Sequence, residues 1–136
     1  MRMAASTGGL IGFGLVAAAL LGLPARADEA TAAFSHGASF GETTGEDLYT
    51  HVCQACHMAG ATGAAGAGKY PALAHNQKLE AGGYPVYVVL HGLRGMPPFG
   101  PMMSDAQIAA VVNYVRSHFG NAYSDAVTAD DVAKSR

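Results

Sequence analysis

The pentapeptide Cys53-Gln54-Ala55-Cys56-His57 contains the only two cysteines of this 136-residue chain. Two cysteines three positions apart fit a disulfide or a thiol redox site, and from the cysteines alone both alternatives stay open. The histidine that follows favours a third interpretation, because C-x-x-C-H is the attachment signature of haem c. We therefore predict one covalent haem, held by thioethers to Cys53 and Cys56, with His57 as the proximal iron ligand. A structural zinc site is not indicated, since it would need two further ligands at paired spacing.

The amino terminus has the pattern of an export signal. Arg2 supplies a positive charge, residues 10–23 form an apolar run, and Ala25-Arg26-Ala27 matches a cleavage site. The run is shorter than the roughly 20 apolar residues of a membrane-spanning helix, although an uncleaved anchor remains the alternative. We expect a periplasmic protein without a membrane span after cleavage. Its expected parts are a signal peptide (1–27), an N-terminal arm (28–41), a haem domain (42–120) and a polar C-terminal tail (121–136).

The charge pattern narrows the choice of partners. From Asp28 onward, six lysines and arginines face ten acidic residues, so the formal net charge is about −4. Because no run of basic residues occurs, the sequence argues against binding to nucleic acid or to an anionic membrane surface. Charged residues make up only 13% of the chain and glycine is abundant, which predicts a thin core that a large apolar cofactor would complete.

Apolar periodicity predicts an all-α fold. A helix over residues 45–57 carries the cysteines, with Thr43 or Thr44 as its N-cap. A second helix opens with the capping box Ser104-x-x-Gln107 and stops near Gly120. A valine-rich segment over 85–93 is predicted as a helix, with a buried strand as the alternative, and a weak last helix is expected over 130–134. The glycine- and alanine-rich segment 59–68 is expected to be a flexible loop unless another part of the chain packs on it.

A haem used for electron transfer needs a second axial ligand, most often methionine or histidine. Met96 lies in Gly-Met-Pro-Pro-Phe-Gly, where glycines allow close approach of the backbone and prolines fix φ. Met102 and Met103 are the alternatives, and Met103 also suits the hydrophobic position before the helix cap. Met58 directly follows His57 and would lie on the same face of the ring, so we exclude it.

Several motifs in order resemble those of bacterial class I cytochromes c, over residues 41–120. They are Gly45-Glu46-x-Leu48-Tyr49, the CxxCH pentapeptide, Tyr70-Pro71-x-Leu73, Met96-Pro97-Pro98-Phe99, Ser104-Asp105-x-x-Ile108 and Asn113-Tyr114-Val115-Arg116. The resemblance implies three to five helices wrapped around one haem, with Gly45 and Tyr49 meeting Tyr114 or a neighbour. It also implies Met96 as the sixth ligand and a hydrogen bond from His57 Nδ1 to the Pro71 carbonyl.

The same resemblance implies an electron carrier rather than an enzyme. The likeness extends to small periplasmic cytochromes that accept electrons from dehydrogenases, with an oxidase or another cytochrome as acceptor. Such a protein is a free monomer or a bound subunit of a dehydrogenase complex. Mitochondrial-type cytochromes carry a ring of lysines for docking, and this chain has only three lysines after residue 27. Two other functions stay open, a five-coordinate haem protein with peroxidase or gas-sensing activity and a haem-free dithiol protein.

Further side chains are candidates for the haem surroundings. Arg94 is a candidate partner for a haem propionate, with an exposed loop arginine as the equal alternative. Tyr70 and Tyr87 are candidates for the haem pocket, with ordinary core packing as the alternative, and Phe99 is expected to shield the ring. The remaining histidines lack mutual ligand spacing and are interpreted as surface or packing residues (His36, His51, His75, His91 and His118).

Overall fold

A computed structural model describes residues 39–66 and 68–136 of the chain. The predicted signal peptide, His36 and all of the predicted N-terminal arm before Ser39 lie outside the described residues. No helix within the described ranges combines the length and apolar character needed to cross a membrane.

The helix that carries the CxxCH pentapeptide is built from three consecutive segments, which we together call the motif helix. They are α1 (Gly45–Leu48), a π-helical segment (Tyr49–Cys53) and α2 (Gln54–His57). Thr44 is the N-cap, because its side-chain oxygen accepts a hydrogen bond from the Asp47 amide at 3.1 Å. In the π-helical segment the Gln54 amide donates to the Tyr49 carbonyl, five residues back. Such wide turns are rare and frequently lie at functional sites.

The longest described helix packs against the motif helix. The predicted capping box is present. The Ser104 amide donates to Gln107 Oε1 at 2.8 Å and the Gln107 amide donates to Ser104 Oγ at 3.3 Å. Its apolar stripe forms the centre of the core together with Leu48 and Tyr49. This helix, α4, spans Asp105–Ser117. It ends slightly before the predicted stop.

The valine-rich segment is a helix, so the alternative of a buried strand is wrong. It forms α3 (Gly83–His91), which buries Val86 and Leu90 and exposes Tyr84 and Tyr87. A 3-10 turn (Gln77–Leu79) precedes it, capped by the Asn76 side chain. The prediction of a helix is therefore confirmed for this segment.

The glycine- and alanine-rich segment contains a structure that its composition does not predict. Strand β1 (Ala64–Ala65) pairs with β2 (Lys69–Tyr70) in a short antiparallel ladder, with Ala64 opposite Tyr70. Residue 67 lies outside the described residues. The ladder is the exception to an otherwise helical fold in the described part of the chain.

Residues 121–136, the polar C-terminal segment of the sequence, pack on the rest of the described chain. Helix α5 (Ala129–Ala133) lies against α4, and Val132 is fully buried. Arg116 of α4 is 1% exposed, and its guanidinium donates to the carbonyls of Leu79, Glu80 and Asp125. The predicted final helix is thus present. The burial of Val132 and the bonds of Arg116 depend on contacts distant in sequence, so the polar composition of this segment does not indicate them.

Candidate haem site

His57 lies at the end of the motif helix and is held by a backbone carbonyl. Its side chain is 7% exposed, and Nδ1 lies 2.9 Å from the carbonyl oxygen of Pro71. Because a carbonyl oxygen can only accept, Nδ1 carries a proton, and in the neutral imidazole the lone pair is then on Nε2. The hydrogen bond that the family resemblance implies is therefore present, and it prepares Nε2 as a donor to a metal.

Gly63 allows the chain to bring Pro71 to His57. The residue has φ of +67°, and its amide donates to the His57 carbonyl at 3.1 Å. A Cβ at this position would lie 2.7 Å from the Ala72 nitrogen and from the carbonyl carbon of Pro71. Only glycine combines this backbone conformation with so close a passage of residues 70–72. The glycine-rich segment thus has a specific role beside His57, which its composition alone does not indicate.

The two cysteines are unpaired thiols three residues apart on the motif helix. Cys53 is half-buried and Cys56 is exposed. Burial, and next the charge of Cys56, raises the pKa of the Cys53 thiol to about 11. Disulfide oxidoreductases instead lower the pKa of the attacking thiol. The environment of Cys53 therefore does not favour a thiol redox site.

Met96 is half-buried in a loop whose backbone is fixed at several points. Leu93 and Met96 exchange two backbone hydrogen bonds of 3.0 Å around a tight turn. The Phe99 amide donates to the Val89 carbonyl at 2.8 Å, which ties the far end of the loop to α3. Gly92 enters the loop with φ of +73°. This loop, residues 92–99, which we call the Met96 loop, lines a cavity of about 390 Å³ together with His91.

The two other methionines of this region differ in burial. Met103 is 4% exposed and belongs to the core cluster that includes Ile108, as its position before the helix cap predicts. Met102 is half-buried, and its backbone carbonyl accepts a hydrogen bond from the Phe40 amide at 3.2 Å. Core packing thus accounts for Met103, whereas the fixed loop beside the cavity presents Met96.

The remaining candidates lie in different environments. Arg94 is exposed in the Met96 loop with φ of +55°. Tyr70 is 43% exposed on β2 and Tyr87 is 56% exposed on α3, so the alternative of core packing is wrong for both. Phe99 is half-buried and packs against Phe40, with ring centroids 6.2 Å apart.

The other histidines within the described residues are all exposed (His51, His75, His91 and His118). His51 lies 3.0 Å from the Glu42 carboxylate, and His118 stacks on Tyr114 with ring centroids 4.1 Å apart. His91 Nε2 lies 3.0 Å from the Ser135 carbonyl oxygen. These contacts agree with surface or packing roles.

One polar contact beside the motif has no counterpart in the sequence prediction. The hydroxyl of Tyr49 donates to the carbonyl of Met58 at 2.7 Å, and the Tyr49 side chain is 1% exposed. Burial, and next the charge of Cys53, raises the pKa of Tyr49 to about 12, so the hydroxyl stays protonated. The periodicity predicts Tyr49 as a core residue, but the partner of its hydroxyl depends on the π-helical segment, which has no sequence signal.

The donor set fits haem c better than a bare metal ion. Two free thiols and an imidazole with an available Nε2 follow one another on the motif helix, and a thioether lies in the fixed Met96 loop. In residues 39–66 and 68–136, no group of three or more His, Cys, Asp or Glu side chains could hold a metal ion by itself. The arrangement therefore suits a cofactor that brings its own equatorial ligands.

The helices associate as the resemblance implies. Gly45 passes directly over the Ala110 carbonyl and Tyr114 Cβ of α4, and the rings of Tyr49 and Tyr114 lie 5.8 Å apart between centroids. This crossing fixes the motif helix against the longest helix of the domain.

Comparisons with known proteins agree with this geometry. The chain is 36% identical over 110 residues to the fructose dehydrogenase cytochrome subunit of Gluconobacter japonicus, which covers 69% of this chain and 22% of that protein. It is 34% identical over 110 residues to the gluconate 2-dehydrogenase cytochrome c subunit of Pantoea cypripedii, covering 68% and 24%. It is 32% identical over 122 residues to the cytochrome c subunit of the quinone alcohol dehydrogenase of Gluconacetobacter polyoxogenes, covering 80% and 26%.

The chain thus spans about a quarter of the length of these relatives. The family model described as cytochrome c oxidase, cbb3-type, subunit III matches residues 41–115. This match takes in the motif helix, Pro71, the Met96 loop and most of α4. The chain therefore belongs to this family of c-type cytochrome domains.

Proposed function

We propose that the chain is a periplasmic one-electron carrier with a single haem c. Cys53 and Cys56 would hold the haem covalently, and His57 and Met96 would ligate its iron. When bound, haem c supplies an iron that cycles between Fe(III) and Fe(II). The observation that carries the proposal is the His57 imidazole, which follows the two free thiols and is held through Nδ1 by the Pro71 carbonyl at 2.9 Å.

The chain's own residues have two tasks in this proposal. The Pro71 carbonyl fixes the tautomer of His57 and increases the electron donation of Nε2. The fixed loop holds the Met96 sulfur with little loss of entropy on ligation, because its backbone is already ordered by the Leu93 and Val89 hydrogen bonds. With His57 and Met96 both bound to the iron, its coordination would stay the same in both oxidation states, which would favour electron transfer over bond-making chemistry. Arg94, Tyr70 and Phe99 would border the haem.

A five-coordinate haem with peroxidase or gas-sensing activity is the alternative. It would require that Met96 stays off the iron. The ordered backbone of the Met96 loop argues for ligation, because a haem with an open sixth position would not need a methionine held beside the cavity.

The ligand assignment is tested by absorption spectroscopy of the haem-loaded protein and its Met96→Ala variant. We expect the parent to show sharp reduced bands and a far-red methionine–iron charge-transfer band when oxidised, and Met96→Ala to lose the far-red band. Met102→Ala is the matched control, because Met102 is a half-buried methionine near the same loop, and it should keep the band. A Met96→Ala variant that keeps the band, or a Met102→Ala variant that loses it, would overturn the assignment.

We also propose export through the predicted signal peptide and a dehydrogenase as electron donor, with an oxidase or another cytochrome as acceptor. The three relatives above are cytochrome subunits of dehydrogenases, which supports a donor of this class. Purification of the tagged, haem-loaded chain from its own cells tests this part. Recovery of a stoichiometric dehydrogenase is expected for a bound subunit, whereas failure of any dehydrogenase preparation to reduce the purified protein would contradict the proposed donor.

A further inference from the structure

The backbone immediately after His57 adopts a conformation that favours glycine. Met58 has φ of +67° and ψ of +160°. A residue with a side chain persists there only when its surroundings enforce the conformation, and such residues cluster at functional sites. The question is therefore what holds Met58 in place.

Three hydrogen bonds converge on the Met58 peptide groups. The Met58 amide donates to the Gln54 carbonyl at 2.9 Å, and the Ala61 amide donates to the Met58 carbonyl at 3.0 Å. The third bond is the only one made by a side chain, from the Tyr49 hydroxyl to the same Met58 carbonyl at 2.7 Å. Both acceptor sites of the Met58 carbonyl are thus used.

The Tyr49 hydroxyl is itself held firmly by the core. Its ring is 1% exposed and packs against Phe119 and Tyr114, with centroid separations of 4.7 and 5.8 Å. A side chain confined in this way loses little further freedom on making its hydrogen bond. Tyr49 therefore fixes the turn after His57 relative to the core.

This turn leads directly to the partner of His57. The Ala61 amide is bonded to the Met58 carbonyl. Two residues later, the Gly63 amide donates to the His57 carbonyl at 3.1 Å. Gly63 in turn packs against residues 70–72, which include the Pro71 carbonyl that accepts from His57 Nδ1. A shift of the Met58 carbonyl would thus displace the segment that orients the imidazole.

We infer that Tyr49 is a positioning residue for the axial histidine, acting through the Met58 carbonyl to hold the turn that aligns His57 with Pro71. The inference rests on the proposed function, in which His57 is the iron ligand. The Tyr49 hydroxyl bonds to Met58 and not to His57 or Pro71, so its effect is on the orientation of His57 and on the mobility of the turn.

Tyr49→Phe in the haem-loaded protein removes the hydroxyl and keeps the ring. Tyr123→Phe is the matched control, because the Tyr123 hydroxyl also donates to a backbone carbonyl, that of Asn76 at 3.3 Å, and the residue is half-buried. Two readouts are compared. Amide hydrogen exchange reports on opening of the turn at Ala61 and Gly63, and electron paramagnetic resonance of the oxidised protein reports on the orientation of the axial ligands.

We expect exchange at Ala61 and Gly63 to become about fivefold to tenfold faster in Tyr49→Phe, as the loss of one hydrogen bond implies. The low-spin resonance should shift and broaden in the same variant. In Tyr123→Phe, exchange at these two amides and the resonance should match the parent. The core amides of α4 provide the internal reference for general loss of stability.

The inference is overturned if Tyr49→Phe leaves the resonance unchanged. It is equally overturned if exchange at Ala61 and Gly63 rises no more than exchange at the core amides of α4. Failure of the proposed function gives a different result, since the parent protein would then lack covalent haem or its low-spin resonance. The two failures are therefore distinguishable in the parent sample.

Discussion

Gly45→Ala adds one methyl group where the motif helix crosses α4. A Cβ at this position would lie 2.6 Å from Tyr114 Cβ and closer still to the Ala110 carbonyl oxygen. Ordinary contact begins at 3.4 Å, so the shortfall is about 0.8 Å at Tyr114 Cβ and larger at the Ala110 oxygen, and neither atom can rotate away. The two helices must therefore separate along a core that includes Leu48 and Ile108.

The expected loss in free energy of unfolding follows from this geometry. Overpacking of a close-packed core costs about 1–3 kcal/mol. Alanine recovers up to about 1 kcal/mol through its higher helix propensity, and less at the first residue of a helix. We therefore expect a net loss of about 1–2 kcal/mol, which lowers the melting temperature by roughly 4–8 °C per kcal/mol for a domain of this size.

Gly83→Ala is the matched control, because Gly83 also begins a helix and a Cβ there would meet nothing within 4 Å. Urea unfolding of the haem-loaded parent and both variants, followed by far-ultraviolet circular dichroism, measures the difference. Gly83→Ala should be as stable as the parent or slightly more stable. The helix-crossing argument is refuted if Gly45→Ala is no less stable than Gly83→Ala.

Two further predictions concern the C-terminal segment. Arg116→Met keeps an apolar side chain of similar length but leaves the carbonyls of Leu79, Glu80 and Asp125 without their donor. We therefore expect a loss of about 2–3 kcal/mol in the free energy of urea unfolding. Parental stability would show that Arg116 does not anchor the segment that contains Asp125. Hydrogen bonds from the Thr128 hydroxyl and then its amide hold the pKa of the Asp131 carboxyl below its usual value. A lowered carboxyl pKa stabilises the folded state above about pH 4, and this contribution vanishes as the pH falls through the folded-state pKa. Asp131→Ala should therefore lower the melting temperature at neutral pH. The difference from the parent should shrink in acid. A difference that does not depend on pH would contradict the role of the carboxylate.

Local patterns account for much of what the sequence predicts correctly. The N-cap at Thr44 and the capping box at Ser104 depend on residues three apart, and the apolar stripe of α4 repeats within one helix. The bond from His57 to Pro71 joins residues 14 apart, and only the family resemblance implies it. Such long-range pairs are not encoded in local periodicity.

The elements that the sequence did not predict depend on contacts between distant segments. Segment 59–68 has a flexible composition, yet Gly63 is fixed by residues 70–72 and Ala64 pairs with Tyr70. Residues 121–136 are polar, but Val132 is buried and Arg116 and Arg136 bond this segment to the rest of the domain. The π-helical segment and the bond from Tyr49 to Met58 likewise have no periodic signature, because they arise from how the motif helix fits the core.

A spectroelectrochemical titration of the purified protein, exported together with the haem maturation machinery, tests the central claim most directly. The account predicts a covalently bound haem that titrates as one reversible one-electron couple. The reduced bands should be sharp and the oxidised form should show the methionine–iron band. A protein without covalent haem, or one whose haem is high-spin and binds added carbon monoxide readily in the native state, would contradict the account.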